Sequence, residues 1–395
     1  MHLYLVALNP TDSVTHGFLP AAHGLGLRVT VLTDQPEAHE TAYADLPYGP
    51  QAVLGCAVHE VRDVVGTIAA HGAPDAVFSN SDHLQATTAL AAEFHGLPGK
   101  GWRAALRTKN KALMRRHLRD LDPVGAVEIP VPAAPMSVEM PPFPLVLKPR
   151  EGVASEDVVL AGDREELVRR ASELQARSPG RALIAEEYLD GPLHTLETLG
   201  DGRTTWVLGG FRTRVSAPPY FVEERLEWAP PPEDATRAVL ARLAALGVGF
   251  GACHTEYVLQ DGGPRLIEVN YRVIGDHCDF LLAELLGLPL FELILRVHLG
   301  ERLSPAPPVP TGHAVTDYVI ADLPGTLTAA PEACDLHDAG VRLSYRPLRE
   351  VGRTHPLTNT NRDYLGAIRA VGPDRTTTEA AVARFRSAHR WEITP

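Results

Sequence analysis

The sequence predicts an α/β protein that begins with an open parallel sheet and ends in a small β-rich domain. Two apolar, β-branched runs at residues 3–8 and 27–33 are separated by a segment of helix length, as parallel strands require. The Pro-rich stretch Ser304 to Thr311 is the strongest linker candidate, and shorter strand-like runs follow it. The chain has 395 residues, about two to three times the usual domain size, so we expect two or three domains.

The composition is that of a folded protein with an acidic surface. Hydrophobic residues make up 45% of the chain and charged residues 22%, which are ordinary values. The formal net charge of −12 argues against a general nucleic-acid binder, because such a protein needs a basic face to displace counterions from phosphates. A local positive pocket for a nucleotide remains compatible with this charge.

Membrane and disulfide signals are weak throughout the sequence. The first ten residues lack the basic region of a signal peptide, and their apolar run is too short. The most hydrophobic stretch, Phe280 to Leu299, is interrupted by two glutamates, a glycine and a proline, so we expect a core helix and no membrane partner. The four cysteines do not make a disulfide framework in so long a chain. We therefore expect a cytoplasmic enzyme.

The N-terminal domain has the pattern of a ligand-binding α/β sheet. Residues 75–79 predict a third buried strand, and an Ala- and Leu-rich helix follows over about 82–94. Sheets of this kind bind ligands at the carboxyl ends of their strands. The loop at residues 9–13 contains none of the glycines that let a backbone approach a pyrophosphate, so a nicotinamide dinucleotide site is disfavoured.

The middle of the chain alternates between helices and strands. A strand at Phe143 to Lys148 ends in a lysine, which is unusual because an unpaired charge there would be costly. The other predicted elements are a basic amphipathic helix at 108–121, a Pro-rich segment at 124–144, a charged helix at 164–177, a strand at 182–189, a helix over about 234–246, an apolar helix near 280–298, and strands at 313–320 and 341–345.

A β-hairpin is predicted near residue 262. The runs at residues 254–259 and 265–271 flank the sequence Gln-Asp-Gly-Gly-Pro, which is a strong turn signal. If the turn is centred at Gly262, Glu256 lies directly opposite Glu268. Two like charges in this position destabilise a strand pair, so their presence calls for a reason.

The hairpin predicts a metal site. Strand alternation places Asn270 on the same face as Glu256 and Glu268, while Ile267 and Val269 point to the other face. Two carboxylates and an amide oxygen are ligands that suit Mg²⁺. The alternative is a solvated hairpin face whose acids never meet a metal.

These residues resemble the metal-binding hairpin of the ATP-grasp superfamily. The sequence His254-Thr-Glu, a short turn, and then Leu-Ile-Glu-Val-Asn-Tyr-Arg272 carries the resemblance. Asn110-Lys111 is similar to the segment with the first nucleotide lysine of that family, and the strand ending at Lys148 is similar to the one with the second. Glu-Glu-Tyr-Leu at 186–189 and the residues after it resemble the adenine hinge and ribose segment. The order of these matches makes them specific.

The resemblance covers about residues 96–300 and implies a domain organisation. It implies an ATP-grasp core of two α+β subdomains that clasp ATP. We expect an N-terminal α/β domain at 1–100, the ATP-grasp domain at 101–303 with a lid subdomain at about 124–190, and a C-terminal α+β domain at 312–395.

The resemblance also implies roles for individual residues. Lys111 and Lys148 would neutralise the phosphates of ATP, although Lys111 alone is also compatible with a surface position on a basic helix. Ser155 would belong to the flap over the phosphates, whose loop is poor in glycine here. The adenine hinge would be Glu186, Glu187, Tyr188 and Leu189, with the Glu187 carbonyl and the Leu189 amide on the base; His194 and Glu197 would lie near the ribose or its phosphates.

Three arginines are the candidate catalytic residues. Arg272 follows Asn270 by two positions and would share its face, where a guanidinium could hold an acyl phosphate or the γ-phosphate. Arg212 and Arg214 share a strand face, and the run ending in Glu223 resembles a family segment near substrate and phosphates. For either of these two arginines a surface ion pair is the alternative.

The implied chemistry is ligation of a small-molecule carboxylate to an amine, with ATP and Mg²⁺ (or Mn²⁺) as cofactors and an acyl phosphate as intermediate. The residues of the motifs favour a role in amino-acid metabolism or in the biosynthesis of natural products such as siderophores. A biotin-carboxylase-like enzyme, a purine-pathway ligase and a catalytically silent ATP-binding protein are the alternatives. The sequence leaves the oligomeric state open, a homodimer included.

Overall fold

The computed structural model describes residues 1–132, 139–305, 307 and 310–395. Residues 133–138 of the predicted Pro-rich segment, and residues 306, 308 and 309 of the predicted linker, lie outside the described residues. Within the described residues, no helix is long and apolar enough to cross a membrane.

The N-terminal domain is a parallel sheet with the strand order β3-β2-β1-β4. Its strands are β1 (His2–Val6), β2 (Arg28–Thr33), β3 (Ala52–Gly55) and β4 (Ala76–Phe78), and its helices are α1 (Leu19–Gly24), α2 (Pro36–Tyr43), α3 (Val61–His71) and α4 (Gln85–Phe94). The open parallel sheet confirms the predicted fold class. The strand predicted at 75–79 is β4, whereas β3 was not predicted. β3 is a four-residue edge strand whose side chains are half-buried or exposed, so it lacks a long apolar run.

Two short helices, α5 (Trp102–Lys109) and α6 (Lys111–Leu118), replace the single basic helix that we predicted. The chain breaks at Asn110, whose backbone is extended and whose side-chain oxygen accepts a hydrogen bond from the Leu113 N–H at 3.0 Å. This N-cap satisfies one of the free amides of the first turn of α6. It fixes the start of the helix that carries Lys111.

A four-stranded antiparallel sheet, here called the lid sheet, comes next, with the strand order β5-β8-β6-β7. Its elements are β5 (Ala126–Ile129), β6 (Leu145–Pro149), β7 (Val159–Ala161), α7 (Arg164–Arg177) and β8 (Leu183–Glu187). The charged helix was predicted with the observed bounds, because its apolar positions recur at helical spacing and Asp163 caps its first turn.

The central sheet follows, and it continues into the C-terminal segment. Its elements before residue 300 are β9 (Leu193–Asp201), β10 (Thr205–Gly209), β11 (Phe211–Val215), β12 (Glu223–Trp228), α8 (Glu233–Leu246), β13 (Phe250–Gln260), β14 (Gly263–Asn270), α9 (Cys278–Leu286) and α10 (Leu290–His298). The apolar helix predicted near 280–298 is therefore two helices, because Gly287 adopts a left-handed conformation that ends the first one.

The C-terminal strands extend the same sheet. They are β15 (His313–Ile320), β16 (Gly325–Ala329), β17 (Cys334–Asp338), β18 (Val341–Pro347), β19 (Thr354–His355), β20 (Tyr364–Gly372) and β21 (Glu392–Thr394), with α11 (Arg375–Ala388) packed on the sheet. The order β14-β13-β9-β11-β12-β15-β20-β18-β17 is continuous, and β12 pairs with β15 in antiparallel orientation. A small sheet of order β19-β16-β21 lies beside it.

Candidate functional site

A cleft lies between the lid sheet and the central sheet, and the C-terminal segment forms part of its wall. Many of the predicted site residues line it: Lys111, Lys148, Ser155, Glu186, Glu187, Tyr188, Leu189, Glu256, Glu268, Asn270 and Arg272. Four of the predicted residues do not line the cleft among the described residues: His194, Glu197, Arg212 and Arg214. The fold therefore brings together side chains that lie far apart in the sequence.

The hairpin of β13 and β14 has the predicted pairing at its functional end, where Glu256 is opposite Glu268. The turn is tighter than predicted, because Gln260 already pairs with Gly263. A β-bulge at Ile267 restores the register by one residue. The prediction that Ile267 points away from the acids is wrong, because the bulge turns it into the cleft beside Glu268.

Each carboxylate of this pair is held by a cation. Lys111 Nζ lies 2.6 Å from Glu268 Oε1. His254 Nε2 lies 3.3 Å from Glu256 Oε1, which also accepts a hydrogen bond from Asn270 Nδ2 at 3.3 Å. Burial raises the pKa of Glu256, but the hydrogen bond and charge of His254 outweigh it and leave the pKa below its usual value. Glu256 is therefore held in its carboxylate form.

His254 was not predicted as a site residue, yet it connects the cleft to Glu197. Its Nδ1 lies 2.8 Å from Glu197 Oε1. Burial lowers the pKa of His254, but Glu197 and Glu256 outweigh this and raise it to about 10. The imidazolium thus positions Glu256, and Glu197 contributes through His254. The sequence signal for His254 was its position two residues before Glu256, which places both side chains on the same face of the strand.

Lys148 belongs to a buried ion network. Its Nζ lies 2.6 Å from Glu186 Oε2, and Arg115 Nε lies 2.8 Å from Glu186 Oε1. Burial raises the pKa of Glu186, but the two cations lower it to about 2. Arg115 also lies 3.7 Å from Asp122 Oδ2, and Lys148 lines the cleft, so this wall presents a cation to an anionic ligand. Arg115 was not predicted, since its sequence neighbour Arg116 looks the same.

The end of β8 forms an apolar part of the cleft. Leu189 packs with Val124 and Val258, and Leu193 and Ile267 lie against them. The amides of Glu187 and Tyr188 donate to the carbonyls of Gly125 (2.8 Å) and Pro144 (3.2 Å). Among the described residues, the Leu189 amide makes no backbone hydrogen bond. This segment offers a flat apolar ligand both a slot and a free donor.

The loop between β6 and β7 closes one side of the cleft. Ala154, Ser155 and Asp157 have φ angles of 56°, 54° and 58°, in the left-handed region that non-glycine residues seldom adopt. The Ala154 carbonyl accepts a hydrogen bond from the Asn361 N–H at 3.1 Å. Glu156 Oε1 lies 2.8 Å from Arg362 Nε. Contacts with the C-terminal segment thus stabilise a loop that has few glycines.

No protein-family model matches the chain. It is 28% identical over 347 residues to the uncharacterized protein y4rH of Sinorhizobium fredii, and the match covers 81% of this chain and 68% of that protein. It is also 28% identical over 324 residues to carnosine synthase 1 of Gallus gallus, covering 73% of this chain. The match spans about a third, 34%, of the length of the carnosine synthase.

The solved structure of L-amino acid ligase from Bacillus licheniformis has the same fold. The two superpose with a TM-score of 0.77 over 100% of this chain and 99% of that one, at 22% sequence identity. The chain therefore has the fold of this ligase. The resemblance inferred from the hairpin, the two lysines and the hinge is thereby confirmed at the level of fold.

His194 is turned away from the cleft. Leu193 lines the cleft, and strand alternation directs His194 to the opposite face of β9. There its ring stacks on Tyr257, with centroids 5.8 Å apart and planes at 19°. The expected position near a ribose is therefore not found for His194.

Arg212 and Arg214 lie outside the cleft. Both are exposed on β11 and line a separate groove with Arg225 and Arg375. Arg214 Nε lies 2.9 Å from Glu224 Oε2, so it forms a surface ion pair. The expectation that they face substrate is not supported, because β11 directs Phe211 and Thr213 inward and the arginines outward. Arg272 does line the cleft.

Proposed function

We propose that the protein is an ATP- and Mg²⁺-dependent, ADP-forming ligase that joins a small-molecule carboxylate to an amine. The observation that carries the proposal is the shared cleft of Lys111, Lys148, Glu256, Glu268 and Asn270. Cations on one wall and oxygen ligands on the other suit a triphosphate with its metal. The Leu189 end would take the adenine base.

The donor set fits magnesium. Glu256, Glu268 and Asn270 would hold the ion, because they supply carboxylate and amide oxygens that face one space. Mn²⁺, which accepts similar ligands, is a second candidate. When bound, the metal neutralises charge on the phosphates. Lys111, now paired with Glu268, would then be available to the phosphates as well.

The remaining charges suit transfer of the γ-phosphate to a carboxylate. Lys148 and Arg115 both line the cleft, so they favour the added negative charge of the phosphates. The Arg272 guanidinium donates to the Val273 carbonyl at 2.8 Å and has no carboxylate partner among the described residues. It would hold the acyl phosphate until an amine attacks the carbonyl carbon and releases phosphate.

Amino acids or similar metabolites are the substrates that we propose, in amino-acid or natural-product biosynthesis. The names of the relatives support this, since both carnosine synthase and L-amino acid ligase denote enzymes that join small molecules. The net charge of −12 is unfavourable for a nucleic-acid partner. Because the four cysteines are unpaired, we also propose that the enzyme works in the reducing cytoplasm. A homodimer is the assembly to test first.

A product assay tests the reaction type. The purified protein is incubated with ATP, Mg²⁺, a library of carboxylates and a library of amines, and phosphate and pyrophosphate are measured separately. We expect phosphate release that depends on both substrates. Pyrophosphate release would indicate adenylation, and bicarbonate-dependent phosphate release would indicate a carboxylase.

Two variants show whether the cleft carries this activity. Glu268→Gln should abolish turnover because it removes a proposed metal ligand charge, and it also leaves the buried Lys111 without its carboxylate, so the melting temperature is measured beside the activity. Glu173→Gln is the matched control, since Glu173 lies on the surface of α7 with its side chain 53% exposed. Equal activity of both variants would contradict the proposed site, and ATP binding without turnover on any substrate would support a silent binding protein.

A further inference from the structure

The end of the cleft that lies against the C-terminal segment contains two carboxylates that have no partner among the described residues. We propose that Glu223 and Asp276 form a subsite for the ammonium group of an amine substrate, which passes a proton to one of these carboxylates before the free amine attacks the acyl phosphate. This inference rests on the proposed ligase function and names the chemical class of the substrate that binds there. Both residues line the same cleft as Arg272 and the oxygen cluster around Glu256.

Charge pairing distinguishes Glu223 and Asp276 from the other acids of the cleft. Among the described residues, the carboxylates of Glu186, Glu256 and Glu268 each contact a cationic side chain of the protein. The other lining glutamates, Glu156 and Glu187, do so as well. Glu223 and Asp276 have neither an ion pair nor a side-chain hydrogen bond within the described part of the chain. An acid inside a cleft is stabilised in its charged form by a cationic partner, and a substrate cation supplies one.

The backbone of Glu223 is held by two hydrogen bonds. Its N–H donates to Asn361 Oδ1 at 3.0 Å, and its carbonyl accepts from the Tyr364 hydroxyl at 2.8 Å. Both partners belong to the C-terminal segment. The backbone of Glu223 is therefore fixed on both sides, which leaves its carboxylate free for a ligand but preorganised for it.

Asp276 is fixed in a similar way. The Tyr318 hydroxyl donates to its carbonyl at 2.7 Å, and Tyr318 stacks on Tyr364 with centroids 4.0 Å apart. Thus one pair of stacked tyrosines positions the backbones of both acids. The neutral hydroxyl and thiol groups beside them, on Tyr318 and Cys278, add no positive charge that would compete with an ammonium group.

The electrostatics of Glu223 agree with a cationic ligand. Burial, with Glu256 and Asp276, raises the pKa of Glu223 to about 8, although His254 and Arg272 act in the opposite direction. Besides burial, the negative charge of Glu256 and Asp276 acts against ionisation of Glu223. An ammonium group would offset this charge, whereas a second carboxylate substrate would add to it. Arg272, on the same cleft, is the group that suits the anionic end of the substrates.

The experiment compares Glu223→Gln with Glu224→Gln. Glu224 is the adjacent residue, pairs with Arg214 outside the cleft and is the matched control. Three quantities are measured: amide formation with the common L-amino acids as amines, hydroxamate formation from the acyl phosphate with hydroxylamine, and amino-acid binding by calorimetry with ADP and Mg²⁺. Hydroxylamine is uncharged near neutral pH, so it does not need the subsite. ATP affinity serves as a check on folding.

We expect Glu223→Gln to raise the KM of the amine by about tenfold or more, as for loss of a charged hydrogen bond, and to retain hydroxamate formation. The hydroxamate assay also shows which substrate carries the ammonium group. If Glu223→Gln raises the KM of carboxylate substrates that have an amino group, and not of those that lack one, the ammonium group belongs to the carboxylate substrate. This result also supports the subsite.

Two results would overturn the inference. One is that Glu223→Gln loses activity equally with hydroxylamine and with amines, whichever carboxylate is used. This result would assign Glu223 to binding of the metal or the phosphates. The other is unchanged KM and unchanged amino-acid binding relative to Glu224→Gln. If the wild-type protein forms neither amide nor hydroxamate, the proposed ligase function fails, and the calorimetric comparison still decides whether Glu223 binds an ammonium group.

Discussion

Arg115 and Arg116 are adjacent on α6, and only their environments distinguish them. The Arg115 side chain is 5% exposed and bound to Glu186, whereas that of Arg116 is 67% exposed and 3.6 Å from Glu128. We expect Arg115→Met to lower the free energy of unfolding by about 3–5 kcal/mol, because it leaves Glu186 buried with one cation fewer. Arg116→Met should change it by less than about 1 kcal/mol. Urea unfolding measures both, and equal effects would contradict the buried network.

Glu223 gives a prediction about pH. Its pKa is about 8 in the folded protein against an ordinary value of 4.5, so the folded state binds the proton more tightly. Stability from this proton is complete below about pH 4.5 and is lost as the pH rises towards 8. Glu223→Gln should therefore gain stability relative to wild type between about pH 5 and pH 9 in urea unfolding. Glu224→Gln should show no such trend, and a parallel pH dependence of Glu223→Gln and wild type would refute the shift.

Residue types predicted the charged walls of the cleft, but not every contributor. Lys148 and Glu268 could be predicted because a charge at the end of an apolar strand, or opposite another acid, is costly without a partner. His194 and Arg212 could not be assigned, because the face of a strand that meets a ligand depends on its neighbours. Arg115 depends on a contact 71 residues away in the sequence, with Glu186.

The elements position these residues, and their local irregularities matter more than their approximate bounds. The hairpin was predictable because the sequence Gln-Asp-Gly-Gly-Pro marks its turn, and the pairing of Glu256 with Glu268 is as expected. The bulge at Ile267 was not predictable, since no glycine or proline marks it. The break before α6 was missed because Asn110 fits within a helix pattern and gains its role only as a cap.

That cap should be measurable in binding as well as in stability. Asn110→Ala should cost about 1 kcal/mol of unfolding free energy and raise the KM of ATP, because α6 carries both Lys111 and Arg115. Asp163→Ala is the matched control: Asp163 caps α7, accepts from the Glu166 N–H at 2.9 Å and does not line the cleft. We expect a similar loss of stability with an unchanged KM of ATP. If both variants changed the KM equally, the position of α6 would not be what matters.

The whole molecule is organised around a sheet that no local pattern predicted. The sequence indicated a separate β-rich tail, whereas β15 continues the central sheet by pairing with β12. One apolar core includes Phe18 of the N-terminal domain, Leu226 of β12, and Tyr318 and Tyr364 of the C-terminal segment. Such pairings join residues about 90 positions apart, and they are set by packing of the complete fold.

A truncation therefore tests the architecture. A chain that ends at residue 303 would lose β15 and β20, expose the edge of β12, and uncover the core around Leu226. An exposed apolar edge strand is prone to aggregation, so we expect an insoluble or molten fragment that does not bind ATP. A chain lacking only β21, the short strand of the small sheet, should remain folded because the central sheet keeps all its strands. Circular dichroism, size-exclusion chromatography and nucleotide binding decide between these outcomes. A monomeric fragment of residues 1–303 that binds ATP like the full chain would contradict this expectation, because the C-terminal segment would then be an independent domain. The cleft wall that this segment contributes beside Glu223 would not be needed for ATP binding.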